Sequence, residues 1–401
     1  MSFKAYTIEE CCDILNNLRF PLNSEQRFDM QGEFAYYGAN GVQGYINQWR
    51  FDDDLILIAE DGGNFEQYAT RPIAYRVSGK CWVNNHAHVL KAKEKYSQNF
   101  IFYSLQHKNI LYFIAGGTRS KLTQGELKKI IINHPKKDEA DKIAQILSKA
   151  DAAITQTETL IAKYQRIKTG LMQDLLTRGI DEHGNIRSKA THRFAVKKGI
   201  LVPEEWEVKS LGRIADFKSG FAFRFEQLRE AGWKVVRISN LHKPDFPYWH
   251  YDGPVKDSWI VVDGDILFTW AGISTSIDCI KYHGEPAILN QHIYNIKFEN
   301  EIVKEYTYRY LQYFLPKLRM EIEGGAGQLH LTKDKIEAIK IPFMKNPEME
   351  MINQKLTEVD KQIIVSNRQL SKLQSLKTGL MQDLLSGKVR VKIKEETLVN
   401  T

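Results

Sequence analysis

The chain has 401 residues, 43% hydrophobic and 26% charged, which excludes a disordered or fibrous polymer and leaves room for two or three domains. Its 56 Lys and Arg against 49 Asp and Glu leave +7, a mild excess that admits nucleic acid as a partner without requiring it. The longest apolar runs fall well short of the ~20 residues of a membrane span. MSFKAYTIEE shows no secretory core, and the cysteines (Cys11, Cys12, Cys81, Cys279) include no CxxC pair, so a cytoplasmic protein with reduced thiols, no disulfide scaffold and no zinc ribbon is expected.

In chain order, residues 1–135 read as a mixed head of short β-type runs, such as LILIA at 55–59, between glycine-rich turns. Asp52, Asp53 and Asp54 precede that run and are read as its turn. His86 and His88 lie two apart on an expected strand and so would share a face; without further ligands at metal spacing they are read as structural. From 136 to 180 the pattern changes. Ile143, Leu147, Ile154, Ile161, Leu171 and Leu175 recur in steps of four and three across a stretch without proline, the seam of a coiled coil. A second mixed head is expected over 181–345, with DILFTW at 265–270 as one of its short β-type runs. A second long helix is expected over 346–386, with Ile352, Leu356, Ile363, Leu370, Leu380 and Leu384 on its seam, and then a tail at 387–401.

The two halves are copies. KTGLMQDLL stands at 168–176 and again at 377–385, an offset that also pairs Asp151 with Asp360 and Leu147 with Leu356. KLTQGELKKIIIN (121–133) matches HLTKDKIEAIKIP (330–342), and Asn84 and His86 fall near Asn290 and His292. The fold expected is therefore α+β: two duplicated mixed α/β domains separated by two long antiparallel coiled-coil helices in a pseudo-twofold, circular arrangement. The run from 181 through PEEW has no counterpart ahead of the first head, and the tail is expected to fill that place.

Two related heads on stiff helices suit a bipartite DNA site, since DNA repeats its grooves about every 34–36 Å. Amide side chains can pair with adenine edges and basic side chains with phosphate. Candidate contacts in head one are Asn40, Gln43, Arg119 and Lys121. In head two they are Arg237, Asn240, His242, Ser274, Gln328 and His330. Lys108, Arg119, Lys121, Lys128 and Lys129 form a basic cluster where head one meets its helix.

The duplicated KTGLMQDLL helices, PEEW (203–206), LGRIADFKSGFAF, GDILFTWAG and the ending LLSGKVRV (384–391) resemble the specificity subunits of Type I restriction–modification enzymes over essentially the whole length. The resemblance implies two target recognition domains that read double-stranded DNA, with helices that set the gap and dock two methyltransferase and two restriction subunits. It also implies that S-adenosylmethionine, ATP and Mg belong to those partners, with no catalytic residue, metal or membrane contact in this chain. Neither an NPPY-type motif nor a GxxxxGK[ST] loop occurs, and the E-x-K fragments at 126–128 and 207–209 lack a paired upstream aspartate. A coiled-coil scaffold without DNA reading is the alternative; a fused endonuclease is disfavoured.

Overall fold

In the computed structural model, which describes residues 3–116, 120–243, 245–272, 276–322 and 329–393, the duplication is one of topology as well as sequence. The chain falls into two units: 1–159 with 367–401, and 160–366. Each therefore holds one head and part of both long helices.

Unit 1 begins with β1 (Lys4–Thr7), α1 (Ile8–Cys11), β2 (Cys12–Ile14), α2 (Ser24–Asp29), β3 (Gln31–Gly38), β4 (Gly41–Ile46), β5 (Phe51–Asp52) and β6 (Leu55–Ala59). β7 (Ala74–Val77), β8 (Lys80–Val83), β9 (Ala87–Ala92), α3 (Gln98–Gln106), α4 (Gln124–Lys129) and β10 (Ile131–His134) complete the head. Then α5 runs without a break over Lys137–Thr177. Two four-stranded sheets result, ordered β2-β9-β6-β7 and β4-β3-β8-β5, with β1 paired to β10.

Unit 2 repeats this. After a hairpin of β11 (Phe194–Lys197) and β12 (Ile200–Pro203) come β13 (Glu207–Ser210), β14 (Asp216–Ser219), β15 (Trp233–Val236), α6 (Ile238–His242), β16 (Trp249–Tyr251), β17 (Ile260–Val261) and β18 (Ile266–Thr269). β19 (Ala271–Gly272), β20 (Asp278–Lys281), β21 (Ala287–Leu289), β22 (Ile293–Lys297), α7 (Glu301–Ile322), β23 (Leu329–His330), α8 (Lys333–Glu337), β24 (Lys340–Phe343) and α9 (Asn346–Leu385) follow. The sheets are β14-β22-β18-β20 and β16-β15-β21-β17, with β13 paired to β24. Even the strand senses match: β3 runs parallel to β8, and β15 runs parallel to β21.

The central strand of each head explains its apolar run. β6 is buried throughout, and its alternating side chains serve two cores. Ile56 and Ile58 join the core beneath α3 and α5, whereas Leu55 and Leu57 join the core between the two sheets. β18 does the same, with Ile266 and Phe268 on one side and Leu267 on the other. Cys11 ends a helix and Cys12 starts a strand, so only the first is helical; all four cysteines are buried and free.

Helix α5 has no proline, and Pro347 of α9 sits in the first turn, where a missing N–H costs nothing. The seam positions Ile143, Leu147, Ile161, Leu175, Ile352, Leu356 and Leu384 are buried. Ile154, Leu171, Ile363, Leu370 and Leu380 are half-buried. In unit 1, Ile143 and Leu147 of α5 share a core with Leu384 of α9. In unit 2, Leu175 of α5 shares one with Ile352 and Leu356 of α9. Early α5 thus meets late α9, and late α5 meets early α9, the pairing of antiparallel helices.

Both helix ends are closed by a left-handed glycine and an arginine clamp. Gly179 has φ +64 and Gly387 φ +74, conformations a side chain would strain. Beyond the first, Arg187 holds Glu348 at the start of α9 through two nitrogens, and Glu348 also accepts from Ile180 N and Trp206 Nε1. Beyond the second, Arg390 donates to both oxygens of Glu139 near the start of α5, at 2.7 and 2.6 Å, and lies over Phe3. Arg390 holds Glu139 below the usual carboxylate range. The tail to Ile393 thus closes head one as the 178–206 run closes head two.

Candidate nucleic-acid interface

One end of each head is assembled from the same three pieces. The first is a turn: Asn84–His86 in head one and Asn290–His292 in head two. Asn84 N donates to Tyr37 O and Asn290 N to Val236 O, both at 3.0 Å, which ties each turn to the parallel strand pair. Each asparagine Oδ1 then accepts the backbone N–H of its histidine, at 2.8 and 3.5 Å. The second piece is the residue after the central strand. Glu60 N donates to His86 O and Trp270 N to His292 O. The third is the Leu-Thr segment: Leu122 N donates to Glu60 O at 2.7 Å and Leu331 N to Trp270 O at 3.0 Å. The same bond pattern is thus built twice from different side chains.

In head one this frame gathers three of the residues singled out from the sequence. Asn40, exposed at the β3–β4 turn, donates to Gly62 O at 2.8 Å. Gln43 accepts from Asn84 Nδ2 at 3.1 Å. Lys121 bridges to both Ala115 and Asp61 through its backbone, and its ammonium lies 3.2 Å from Glu60. Glu60 also takes Arg19 at 2.7 Å. Burial raises the Glu60 carboxyl, but Arg19, His88 and Lys121 outweigh it and leave it below the usual range. Arg119 lies outside the described residues.

His86 and His88 do not share a face. His86 stands in the turn, half-buried, with Nδ1 2.7 Å from Asp61. His88 is wholly buried on β9, where Nδ1 accepts from Asn16 and Nε2 donates to Leu122 O. Burial holds its imidazole below the ordinary histidine range. Asp53 bonds Lys91 beside the turn ahead of β6.

In head two, Arg237 follows directly on Val236. Its guanidinium stacks 4.0 Å over Trp249 and donates to Pro247 O. Asn240 is buried, accepting Arg237 N and donating to Phe246 O, so its amide shapes the loop. His242 is exposed at the end of α6. The backbone of His330 pairs with Ala271, which places it where Lys121 faces Asp61 in head one. Ser274 and Gln328 lie outside the described residues.

The basic cluster of head one is largely neutralised internally. Lys128 pairs with Glu9 at 2.7 Å and Lys129 with Glu126 at 2.6 Å. Burial lowers the Lys108 ammonium. Between each asparagine and histidine stands a residue not among the sequence candidates, Asn85 in one head and Gln291 in the other, both exposed. The repeat places these two carboxamides opposite each other, which is the signal that marks them.

Residues 2–166 and 203–375 match the Type I restriction modification DNA specificity domain. A putative type I restriction enzyme specificity subunit of Haemophilus influenzae is 37% identical over 150 residues, 37% of each protein, so the match spans little more than a third of that relative. A type I restriction enzyme specificity subunit of Methanocaldococcus jannaschii is 27% identical over 73% of this chain and 70% of its own length. The crystal structure of a Type-I restriction-modification S subunit from M. genitalium has a similar fold, with a TM-score of 0.66 at 16% identity over 96% of both chains. With two matched segments that coincide with two heads of one topology, the chain belongs to the Type I restriction–modification DNA specificity family.

Proposed function

We propose that this protein reads an asymmetric, bipartite double-stranded DNA target, one half-site per head, for an assembly whose chemistry resides in other chains. The observation that carries this reading is the twice-built frame. Head one puts Glu60, Asp61 and Lys121 where the backbone of head two puts Trp270, Ala271 and His330, so one scaffold carries two different sets of residues. Different residues on one scaffold suit different bases. The partners are two methyltransferase subunits and two restriction subunits, which bring S-adenosylmethionine, ATP and Mg. This chain contributes no catalytic group.

The long helices offer a symmetrical docking position. Ile167 and Leu376, one in each KTGLMQDLL-bearing helix at the repeat offset, are both exposed apolar residues. Equivalent apolar positions suit two copies of one partner. The deciding experiment is base-resolution methylation profiling of the host genome with and without this gene. A split adenine-methylated motif that disappears on deletion supports the reading; an unchanged methylome overturns it.

A further inference from the structure

Asn85 and Gln291 occupy the same place in the two heads, and their surroundings hold them there for a reason that packing does not supply. In each turn the first residue is an asparagine that caps the third, the third is a half-buried histidine bound to the strand end, and the middle residue is exposed. An exposed turn position tolerates most polar side chains. Here both copies carry a primary carboxamide, although the neighbouring residues have changed from Glu60 and Asp61 to Trp270 and Ala271.

The histidines differ in what they do for that carboxamide. In head two, His292 Nε2 lies 3.2 Å from Gln291 Nε2, so the imidazole accepts from the amide and sets its plane. In head one, His86 turns its Nδ1 to Asp61 instead and leaves the shorter Asn85 side chain without a partner among the described residues. The reading groups of the two heads thus differ by one methylene and by their orientation. The loops that carry Asn40, Gln43 and Lys121 converge on the same end of head one.

We propose that the Asn-x-His turn is the base-reading tip of each head, and that Asn85 and Gln291 each pair with the major-groove edge of an adenine. A carboxamide offers one acceptor and one donor in a plane, the complement of adenine N6–H and N7. His292 is a positioning residue for Gln291. The inference rests on the bipartite reading above and names the groups that perform it.

The test uses the full chain co-expressed with its partner subunits and reads the methylated motif by genome profiling. Asn85→Ala relaxes one adenine position in one half-site by roughly 5- to 150-fold and leaves the other half-site unchanged; Gln291→Ala does the converse. Gln291→Glu shifts that position towards cytosine, whose N4 amine a carboxylate accepts. His292→Ala weakens the Gln291 position without relaxing any other. If a variant abolishes all methylation, the isosteric Asn85→Asp and Gln291→Glu substitutions decide, since they preserve the turn. A wild-type motif that survives unchanged in the alanine and acid variants overturns the proposal. Absence of any split motif in the wild type overturns the bipartite reading instead.

Discussion

Lys377 holds Asp151 at 2.6 Å, and the residues at the same two places in the other half of the chain, Lys168 and Asp360, meet at 2.7 Å. Each lysine opens a KTGLMQDLL string, and each aspartate lies on the opposite long helix within its own unit. Each head adds its own ligand to the aspartate: Tyr103 at 2.5 Å in unit 1, and Arg309 at 2.8 Å in unit 2. The two bridges pin helix to helix and head to helix at one point per unit. Asp360 is half-buried, which raises its carboxyl, but Lys168 and Arg309 prevail and hold it below the usual range.

Asp151→Lys breaks the unit 1 pin and leaves that of unit 2 intact. Combined with Lys377→Asp it restores an opposite pair, so a double-mutant cycle is expected to show a coupling of about 1–2 kcal/mol. Hydrogen exchange of early α5 and late α9 measures it. Additivity within error would show that the bridge contributes nothing to helix pairing.

The same number of residues separates Asp151 from Lys168 and Asp360 from Lys377. Inserting four residues near Gln165 alone adds roughly 6 Å of rise to α5 and puts its two pins out of step with those of α9. A matching insertion near Gln374 brings them back. The paired insertion is expected to lengthen the recognised gap with both half-sites unchanged and with thermal stability closer to wild type than either single insertion. An unchanged gap would contradict a ruler made of these helices.

The Arg390–Glu139 clamp predicts that the tail belongs to the fold of head one. Glu139→Gln and truncation before Gly387 are each expected to lower the unfolding temperature of unit 1 and spare unit 2, where Arg187 and Glu348 do the same work. Limited proteolysis with mass mapping separates the two units. Equal loss in both would show that the tail acts elsewhere.

Acid is expected to loosen unit 1 first. Burial holds both His88 and His134 below the ordinary histidine range, so the unfolded chain takes up these protons before the folded chain does. Stability is full above about pH 6.5 and falls as pH drops from there towards the folded values. Glu60, lowered in the fold, adds a further loss at more acidic pH. Head two has Tyr294 at the place of His88, a group that takes up no proton in this range. Exchange protection of β9 should therefore decline between pH 6.5 and 5 ahead of that of β22, and equal decline would refute the assignment.

Much of this architecture is legible in the residues because the pattern is strong. Steps of four and three without proline point to a long helix, and LILIA, short and apolar between turn residues, reads as a strand, which the fold buries on both faces. The loops are another matter. Lys128 and Lys129 read as a basic patch, but their charges are met by Glu9 and Glu126, the first of them far away in sequence. Asn240 reads as a base-reading amide, but the fold folds it inward to hold Arg237 N and Phe246 O. Periodicity records which side of an element faces the core; it carries no record of which polar atoms meet one another across a loop. The β11–β12 hairpin is not legible in the residues for a related reason, because its four-residue strands are too short to show a period.

The identical KTGLMQDLL strings carry the same mechanical parts: a lysine pin at the start, a buried leucine near the end and a left-handed glycine just beyond. Because each string pins only to the opposite helix of its own unit, a change in one string loosens one pin and leaves the other in place. The chain thus keeps its fastenings alike in both halves while the heads they hold differ.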